Sequence, residues 1–199
     1  MLIGVLALQG GFAAHARMLS GLGAEVREVR VAADLHDLDG LVIPGGESTT
    51  IRLGVQREGL IEPLRELAAA GTPIFGTCAG LIMLDRNHLG IMDIEARRNA
   101  FGRQVRSFEA DLDVAGFNGI PLRAVFIRAP WIASHGEDVE ILAEVDGQAV
   151  AAQQGRLLVV AFHPELGADT RLHERFLTLV SEAPSAGGST RAPGGGSAP

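Results

Sequence analysis

The sequence lacks the features that mark secreted, membrane and nucleic-acid-binding proteins. Its 199 residues include a single cysteine, Cys78, which excludes an internal disulfide and a cysteine-based metal cluster. Asp and Glu (24) outnumber Lys and Arg (17), so the net charge of -7 argues against nucleic acid or an anionic membrane as partner. The longest apolar runs, at 40–46 and 157–162, fall well short of the roughly 20 residues that cross a bilayer. No basic segment or small-residue cleavage site opens the chain, and a cytoplasmic location is expected.

The composition and the order of apolar segments predict one folded domain. Hydrophobic residues make up 47% of the chain and charged residues 21%, which is enough apolar surface for a core. In the first half, short aliphatic strands alternate with helices, as in a parallel sheet covered on both faces. In the second half, strands follow one another through short turns. We therefore predict a three-layer α/β fold over residues 1–183, with a mostly parallel central sheet, flanking helices and added antiparallel strands. A flexible tail rich in Gly, Ser, Pro and Ala is predicted at 184–199.

Apolar periodicity and turn residues set the predicted element bounds. The predicted strands are Leu2–Leu8, Glu25–Val31, Leu41–Ile43, Ile74–Phe75, Val105–Val114, Leu122–Ile127, Val139–Val145, Ala149–Gln153 and Leu157–Phe162. The predicted helices are Phe12–Leu22, one capped by Ser48 or Thr49, Leu60–Ala70 and Thr170–Val180.

The segment Ile74–Met83 carries the clearest chemical signal. It is a strand that turns into a helix through Gly-x-Cys-x-Gly, the pattern of a nucleophile elbow. Glycines at both flanks allow the tight turn, and the first N–H groups of the following helix favour a thiolate at Cys78. The alternative is a small buried thiol, but burial alone does not require glycine on both sides.

A nucleophilic cysteine needs a base and a group that orients the base. His163 and Glu165 follow the apolar strand 157–162, at the end where ligands bind in open α/β sheets. In an extended chain, residues two apart point to the same side, so Glu165 can orient the imidazole of His163. These residues predict a Cys-His-Glu triad. A surface or structural role is expected for the remaining histidines: His15, His36, His88, His135 and His173.

The segment Pro44–Thr50, Pro-Gly-Gly-Glu-Ser-Thr-Thr, follows another buried strand. Its glycines let the backbone approach a ligand and aim N–H groups at it, which suits an oxyanion site. Taken alone, the segment is more typical of a simple glycine-rich turn before a helix. The Gly-Lys-Ser/Thr of a Walker loop is missing, and no Gly-x-Gly-x-x-Gly follows the first strand, which disfavours nucleotide binding.

Together these motifs resemble the class I, or triad-type, glutamine amidotransferases. More narrowly, they resemble the glutaminase subunits of pyridoxal 5'-phosphate synthases, and the resemblance spans about residues 2 to 182. The motifs that carry it are Leu8–Gly10, Pro44–Thr50, Phe75–Leu81, Arg98–Gln104, Phe126–Pro130 and Phe162–Leu166.

The resemblance implies hydrolysis of the side-chain amide of glutamine to glutamate and ammonia. It makes Cys78 the nucleophile, His163 the acid and base, and Glu165 the residue that orients His163. Backbone N–H groups of Gly46 and Ala79 would hold the oxyanion. The resemblance implies no metal and no cofactor. It assigns glutamine binding to Gly46, Glu47, Ser48, Arg98, Ile127 and Arg128.

The resemblance also implies a partner. In the family, the glutaminase docks on a (β/α)8-barrel synthase that uses the ammonia to build pyridoxal 5'-phosphate, with twelve copies of each subunit. Pyridoxal 5'-phosphate is then a product of the partner and not a cofactor of this chain.

Three other interpretations compete with this one. The first is the glutaminase of another ammonia-channelling pair, such as imidazole glycerol phosphate synthase, against which the motifs at 98–104 and 126–130 argue. The second is a non-catalytic amidotransferase-like scaffold, which predicts a missing triad member. The third is a cysteine-dependent chaperone or protease of similar shape, which would usually carry its histidine directly after the nucleophile, where this chain has Ala79.

Overall fold

The structure, a computed structural model, describes residues 1–98 and 107–183. The described α-helices are α1 (Phe12–Gly21), α2 (Ser48–Arg57), α3 (Ile61–Ala69), α4 (Ala79–Leu84) and α5 (Arg171–Ser181). The described strands are β1 (Leu2–Leu6), β2 (Glu25–Val29), β3 (Gly40–Ile43), β4 (Ile74–Thr77), β5 (Ile94–Arg97), β6 (Ser107–Leu112), β7 (Leu122–Ile127), β8 (Trp131–His135), β9 (Glu140–Val145), β10 (Gln148–Gln154) and β11 (Leu157–Val160). Two 3-10 turns cover Ala32–Leu35 and Pro164–Leu166.

Nine strands form one mixed sheet in the order β2-β1-β3-β4-β11-β10-β8-β5, with β9 beside β10. The first five strands in this order, β2, β1, β3, β4 and β11, are parallel to one another. Strand β10 pairs antiparallel with β11, β9 and β8. Strand β8 also pairs antiparallel with β5 at the end of the sheet. Strands β6 and β7 form a separate antiparallel pair. The predicted α/β class, with antiparallel strands added to a parallel centre, is confirmed.

The central strands are buried along their length because helices cover the parallel part of the sheet. Strands β3 and β4 have no exposed residue, which is why their sequences are continuous apolar runs without alternation. Helix α5 buries one apolar face, and Phe176 on that face packs 5.8 Å from Phe75 of β4, measured between ring centroids. Burying each such side chain stabilises the fold by about 1.5–3 kcal/mol.

The structure differs from the predicted elements at strands β5 and β8 and at the start of α2. Strands β5 and β8 are not predicted, because they pair at the sheet margin, where exposed polar residues interrupt the apolar alternation. The predicted cap of α2 by Ser48 or Thr49 is wrong, since Glu47 is the residue whose side chain caps this helix. The first two residues of the predicted strand Val105–Val114, residues 99–104 of the Arg98–Gln104 motif, and the predicted tail at 184–199 lie outside the described residues.

No helix in the described parts of the chain is long and apolar enough to cross a membrane.

Candidate active site

The predicted functional motifs leave the sheet at one edge. Strands β3, β4 and β11 are parallel neighbours, and their registers pair Ile43 with Gly76 and Val160 with Thr77. Their carboxyl ends therefore lie side by side. The glycine loop after β3, the cysteine after β4 and the histidine after β11 consequently meet above the same strands.

The backbone at Cys78 has the strained geometry of a nucleophile elbow. Its φ is 48° and its ψ is -101°, and its N–H donates to the carbonyl oxygen of Val160 at 2.8 Å. Among described non-glycine residues with positive φ, three are Asp or Asn, which tolerate this region. The other two are Cys78 and Arg128, and both line one cavity. Strained residues of this kind concentrate at functional sites.

The glycines that flank Cys78 are required by close packing. A Cβ on Gly76 would lie 2.8 Å from the carbonyl carbon of Gly80. A Cβ on Gly80 would overlap the carbonyl oxygen of Ile43. Any side chain at either position would push α4 away from β3 and β4, so Gly-x-Cys-x-Gly is a steric requirement of this turn.

Cys78, His163 and Glu165 form a connected chain of side chains. The Nδ1 of His163 lies 2.7 Å from Oε1 of Glu165, and the same imidazole interacts with Cys78. Burial alone would lower the pKa of His163, but the interactions with Cys78 and Glu165 outweigh it and raise the pKa to about 10. For Glu165, burial opposes ionisation, yet contacts with His15 and His163 lower its pKa to about 2. The charged pair is thus the stable state at neutral pH.

The route by which Glu165 reaches His163 differs from the predicted one. The segment Pro164–Leu166 is a 3-10 turn and not an extended strand, so the expected alternation of side chains does not apply. The turn begins at Pro164, whose ring holds φ near the helical value. It folds the Glu165 side chain back under the imidazole, and the predicted contact forms by this other geometry.

The glycine loop lies directly against the cysteine and the histidine. A Cβ on Gly45 would be 2.5 Å from Cε1 of His163 and 3.1 Å from Cβ of Cys78. The loop is anchored on both sides of Gly46: the Gly45 N–H donates to Oγ1 of Thr77 at 2.9 Å, and the Glu47 N–H donates to Oε1 of Gln9 at 2.7 Å. Gly46 and the start of α4 therefore border the same space above the sulfur.

A cavity of about 310 Å³ opens over Cys78. Every predicted site residue lines it except Glu165, which lies behind His163. Three lining residues, Gln9, Ile82 and Pro130, are absent from the sequence-based site. Gln9 lies three residues beyond the end of β1, at the carboxyl edge of the sheet, and this position could have indicated it. The lining consists of Gln9, Gly46, Glu47, Ser48, Cys78, Ala79, Ile82, Arg98, Ile127, Arg128, Pro130 and His163.

The carboxylate of Glu47 is committed to its own helix. It accepts hydrogen bonds from the N–H groups of Thr49 and Thr50, at 3.1 and 2.8 Å, and from the Thr50 hydroxyl at 2.8 Å. These bonds, the one from the Thr50 hydroxyl foremost, lower the pKa of Glu47 to about 2. Any contact of Glu47 with a ligand must share this carboxylate with α2 or come from the backbone.

The remaining histidines differ in burial and in their partners. His36 and His135 are exposed, in line with a surface role. His15 and His88, by contrast, lie beside carboxylates: Nε2 of His15 is 3.3 Å from Oε2 of Glu165, and Nδ1 of His88 is 2.7 Å from Oδ1 of Asp85. A search for a carboxylate two residues away finds neither contact, because one joins distant residues and the other joins residues three apart.

No group of three or more His, Cys, Asp or Glu in residues 1–98 and 107–183 is arranged to hold a metal ion. The expectation that the chain needs no metal or cofactor stays a prediction.

The fold and this edge define an α/β protein with a cysteine nucleophile elbow, a paired histidine and carboxylate, and a glycine loop facing the sulfur. A sequence profile described as the SNO glutamine amidotransferase family matches residues 5–182. A pyridoxal 5'-phosphate synthase subunit PdxT from Frankia alni is 53% identical over 192 residues, covering 92% of this chain and 96% of that protein. The PdxT of a Geobacillus species is 52% identical to this chain, and the match covers 92% of this chain and 98% of that protein.

Solved structures agree with these sequence matches. A crystal structure of a glutamine amidotransferase superposes with a TM-score of 0.84 at 44% identity, covering 90% of this chain and 98% of that chain. The structure of PurLQS from Thermotoga maritima, at 16% identity and a TM-score of 0.69, covers 90% of this chain and 96% of that chain and shares the fold. The chain belongs to the SNO glutamine amidotransferase family.

Proposed function

We propose that this chain hydrolyses the side-chain amide of L-glutamine and passes the ammonia to a pyridoxal 5'-phosphate synthase partner. The observation that carries the proposal is the strained Cys78, connected through His163 to Glu165 at the floor of a cavity faced by the Gly45–Glu47 loop. This arrangement supplies a nucleophile, a proton carrier and backbone donors within one site. Family membership and the relatives named PdxT support the substrate and the pathway.

The chemistry has two halves that share one histidine. The Cys78 thiolate attacks the amide carbon, and the negative charge moves to the former carbonyl oxygen, held by the N–H groups of Gly46 and Ala79. The imidazolium of His163 gives its proton to the departing nitrogen, so ammonia leaves and a γ-glutamyl thioester forms. His163 then takes a proton from water as the water attacks the thioester. Glutamate leaves as the thiolate is expelled, and His163 keeps the proton taken from water, which restores the starting pair of thiolate and imidazolium.

Glutamine binding is assigned to the predicted residues around the cavity. Arg98 and Arg128 line it, and a guanidinium can pair with the α-carboxylate of glutamine through two parallel hydrogen bonds. The positive φ of 47° at Arg128 sets the direction in which this side chain leaves the loop after β7. Gly46, Ser48 and Ile127 complete the contacts.

The partner proposal follows from the relatives. Ammonia released into water would be diluted, so a synthase docked over the cavity would receive it directly. We propose a barrel-type synthase as that partner, twelve copies of each protein in the assembly, and a cytoplasmic location.

The test measures glutamate formation from glutamine by the purified chain, alone and in the presence of the synthase. The Cys78→Ala variant serves as the blank, because it removes the sulfur and changes little in the packing. We expect turnover that rises with the synthase and vanishes in the variant, with thermal unfolding showing both chains folded. Full activity in the Cys78→Ala variant would refute the nucleophile. Activity that ignores the synthase but responds to another acceptor enzyme would overturn the pathway while retaining the triad.

A further inference from the structure

The carboxylate of Glu165 has a second oxygen that the triad does not use. Its side chain is 1% exposed, and Oε2 has no partner with good hydrogen-bond geometry among the described residues. The nearest ionisable group is Nε2 of His15, at 3.3 Å, from α1 on the other side of the carboxylate from His163. An unpaired oxygen on a buried carboxylate is costly, so this contact matters to the state of Glu165.

His15 is itself held firmly in the core. It is fully buried, its Nδ1 lies 2.9 Å from Nε2 of His173, and its Nε2 lies 3.1 Å from Oγ1 of Thr77. His173 is neutral at neutral pH, because burial and the neighbouring His15 lower its pKa to about 3. His15 Nε2 faces two oxygens, those of Thr77 and Glu165, so this nitrogen carries the hydrogen.

Thr77 connects the same histidine to the glycine loop. Its Oγ1 accepts the Gly45 N–H at 2.9 Å and contacts His15 Nε2. One imidazole therefore contacts both the carboxylate behind His163 and the hydroxyl that anchors the loop facing Cys78.

From this geometry we propose that His15 is a positioning residue for the amide hydrolysis: its Nε2–H holds Oε2 of Glu165, so that Oε1 stays aimed at Nδ1 of His163. The inference rests on the proposed glutaminase function. His15 touches neither the cavity nor the sulfur and acts only through Glu165 and Thr77.

Removing the His15 donor would change both the orientation and the charge of Glu165. The ionisable groups that face Glu165 are His15 on α1, His163 at the end of β11 and His173 on α5. Without His15, Oε2 is left buried and without a donor beside a neutral His173, which disfavours the charged carboxylate. A less charged Glu165 stabilises the imidazolium of His163 less, and the thiolate of Cys78 loses its counter-ion.

The experiment compares variants that differ in reach. His15→Phe keeps a ring of similar shape without a donor, His15→Gln can place an amide N–H near the position of Nε2, and His15→Asn is too short to do so. His88→Phe is the matched control, since it breaks a histidine–carboxylate pair of the same kind, His88 with Asp85, away from the cavity. Steady-state kinetics with glutamine and the synthase give kcat and KM. The pH dependence of Cys78 alkylation by iodoacetamide reports the thiolate without any turnover.

We expect kcat of His15→Phe and His15→Asn to fall roughly tenfold or more, with KM changed less than about twofold, because the buried N–H that contacts the charged carboxylate is lost. Their alkylation profiles should move to higher pH. His15→Gln should recover most of both properties, and His88→Phe should change only the melting temperature.

Equal loss in all three His15 variants with an unchanged alkylation profile would assign His15 a purely structural role and overturn the proposal, as would wild-type kinetics and alkylation in His15→Phe. If His15→Phe fails to fold, the contrast between Asn and Gln decides. If the wild-type chain releases no glutamate, the proposed function fails, and the alkylation profiles still test the link between His15 and the thiolate.

Discussion

Two buried carboxylates in this fold contact histidine, and they are held in different ways. Asp85 lies at the end of α4 and accepts the N–H groups of Asn87 and Ala96, at 2.9 and 3.2 Å, together with Nδ1 of His88 at 2.7 Å. Glu165 has an imidazole at each oxygen, His163 at 2.7 Å and His15 at 3.3 Å. Both side chains are 1% exposed, so burial does not distinguish them.

The difference lies in what each partner can do with a proton. Backbone N–H groups are fixed donors, so Asp85 has a structural role and links the end of α4 to β5. Imidazoles can gain, lose or turn their hydrogens, so Glu165 belongs to a group whose charge can respond to chemistry at Cys78. A buried histidine–carboxylate pair is therefore a candidate for catalysis only when its other contacts leave the proton free to move.

The strongest test of this difference between Asp85 and Glu165 is to neutralise each carboxylate in turn. Glu165→Gln should lower kcat by about 10³- to 10⁴-fold, because His163 loses both its tautomer control and its counter-charge. Asp85→Asn should leave kcat within about threefold and lower the free energy of unfolding by about 1–3 kcal/mol, because a fixed donor site is broken. Glutaminase kinetics and thermal unfolding of both variants check this.

These two variants also control for each other. Each exchanges a carboxylate for an amide of the same shape at a buried site, so a general effect of the substitution would appear in both. A loss of kcat in Asp85→Asn as large as that in Glu165→Gln would show that the two carboxylates do not differ in role as argued above.

A smaller effect is expected from crowding the carboxylate without changing its charge. A Cβ on Gly11 would lie 2.8 Å from Oε1 of Glu165, so Gly11→Ala should shift this oxygen by a few tenths of an ångström and lower kcat about tenfold. Gly21→Ala, at the other end of α1, meets no atom within 4 Å. It should leave kcat unchanged and stabilise the chain by about 0.4–1 kcal/mol. Equal kinetics in the two variants would show that Glu165 tolerates the displacement.

Local sequence was sufficient to predict which residues come together at the proposed triad and glycine loop. The elbow around Cys78, the glycine loop and the pair His163 and Glu165 each occupy a few consecutive residues after an apolar strand, and parallel strand ends meet at one edge. Their local geometry was less predictable, as the 3-10 turn at Pro164–Leu166 shows.

The supporting half of the site depends on contacts between distant residues. His15 occupies a helix position that faces the core, where an isolated sequence shows only a polar residue among apolar ones, and its partners Thr77, Glu165 and His173 come from three later segments. Gln9 belongs to the Leu8–Gly10 motif but was not assigned to the site, and only its bond to the backbone of Glu47 shows its place beside the glycine loop. Strands β5 and β8 escaped prediction because strand periodicity weakens where a sheet margin meets water.

At neutral pH the smallest effect is expected for His173, which contacts His15 from α5 and has no counterpart beside Asp85 among the residues that the structure describes. Burial lowers the pKa of His173 to about 3 in the folded chain, against about 6.5 unfolded. Between these pH values the unfolded chain therefore binds a proton at His173 and the folded chain does not. The free energy of unfolding falls as pH drops from 6.5 toward 3, by up to about 1.4 kcal/mol per pH unit. Glu165, whose folded pKa is lowered to about 2, adds its own loss only below about pH 4.5.

His173→Gln removes the titration and can keep an N–H near Nδ1 of His15. Urea unfolding at several pH values should show a flatter dependence than wild type between pH 6.5 and 4.5. Above pH 6.5 the two proteins should change in parallel, because stability there falls as pH rises toward about 10, the raised pKa of His163, which both proteins retain. Identical slopes below pH 6.5 would mean that His173 takes up a proton inside the fold, and the Glu165 group would then face a cation where the structure has a neutral ring.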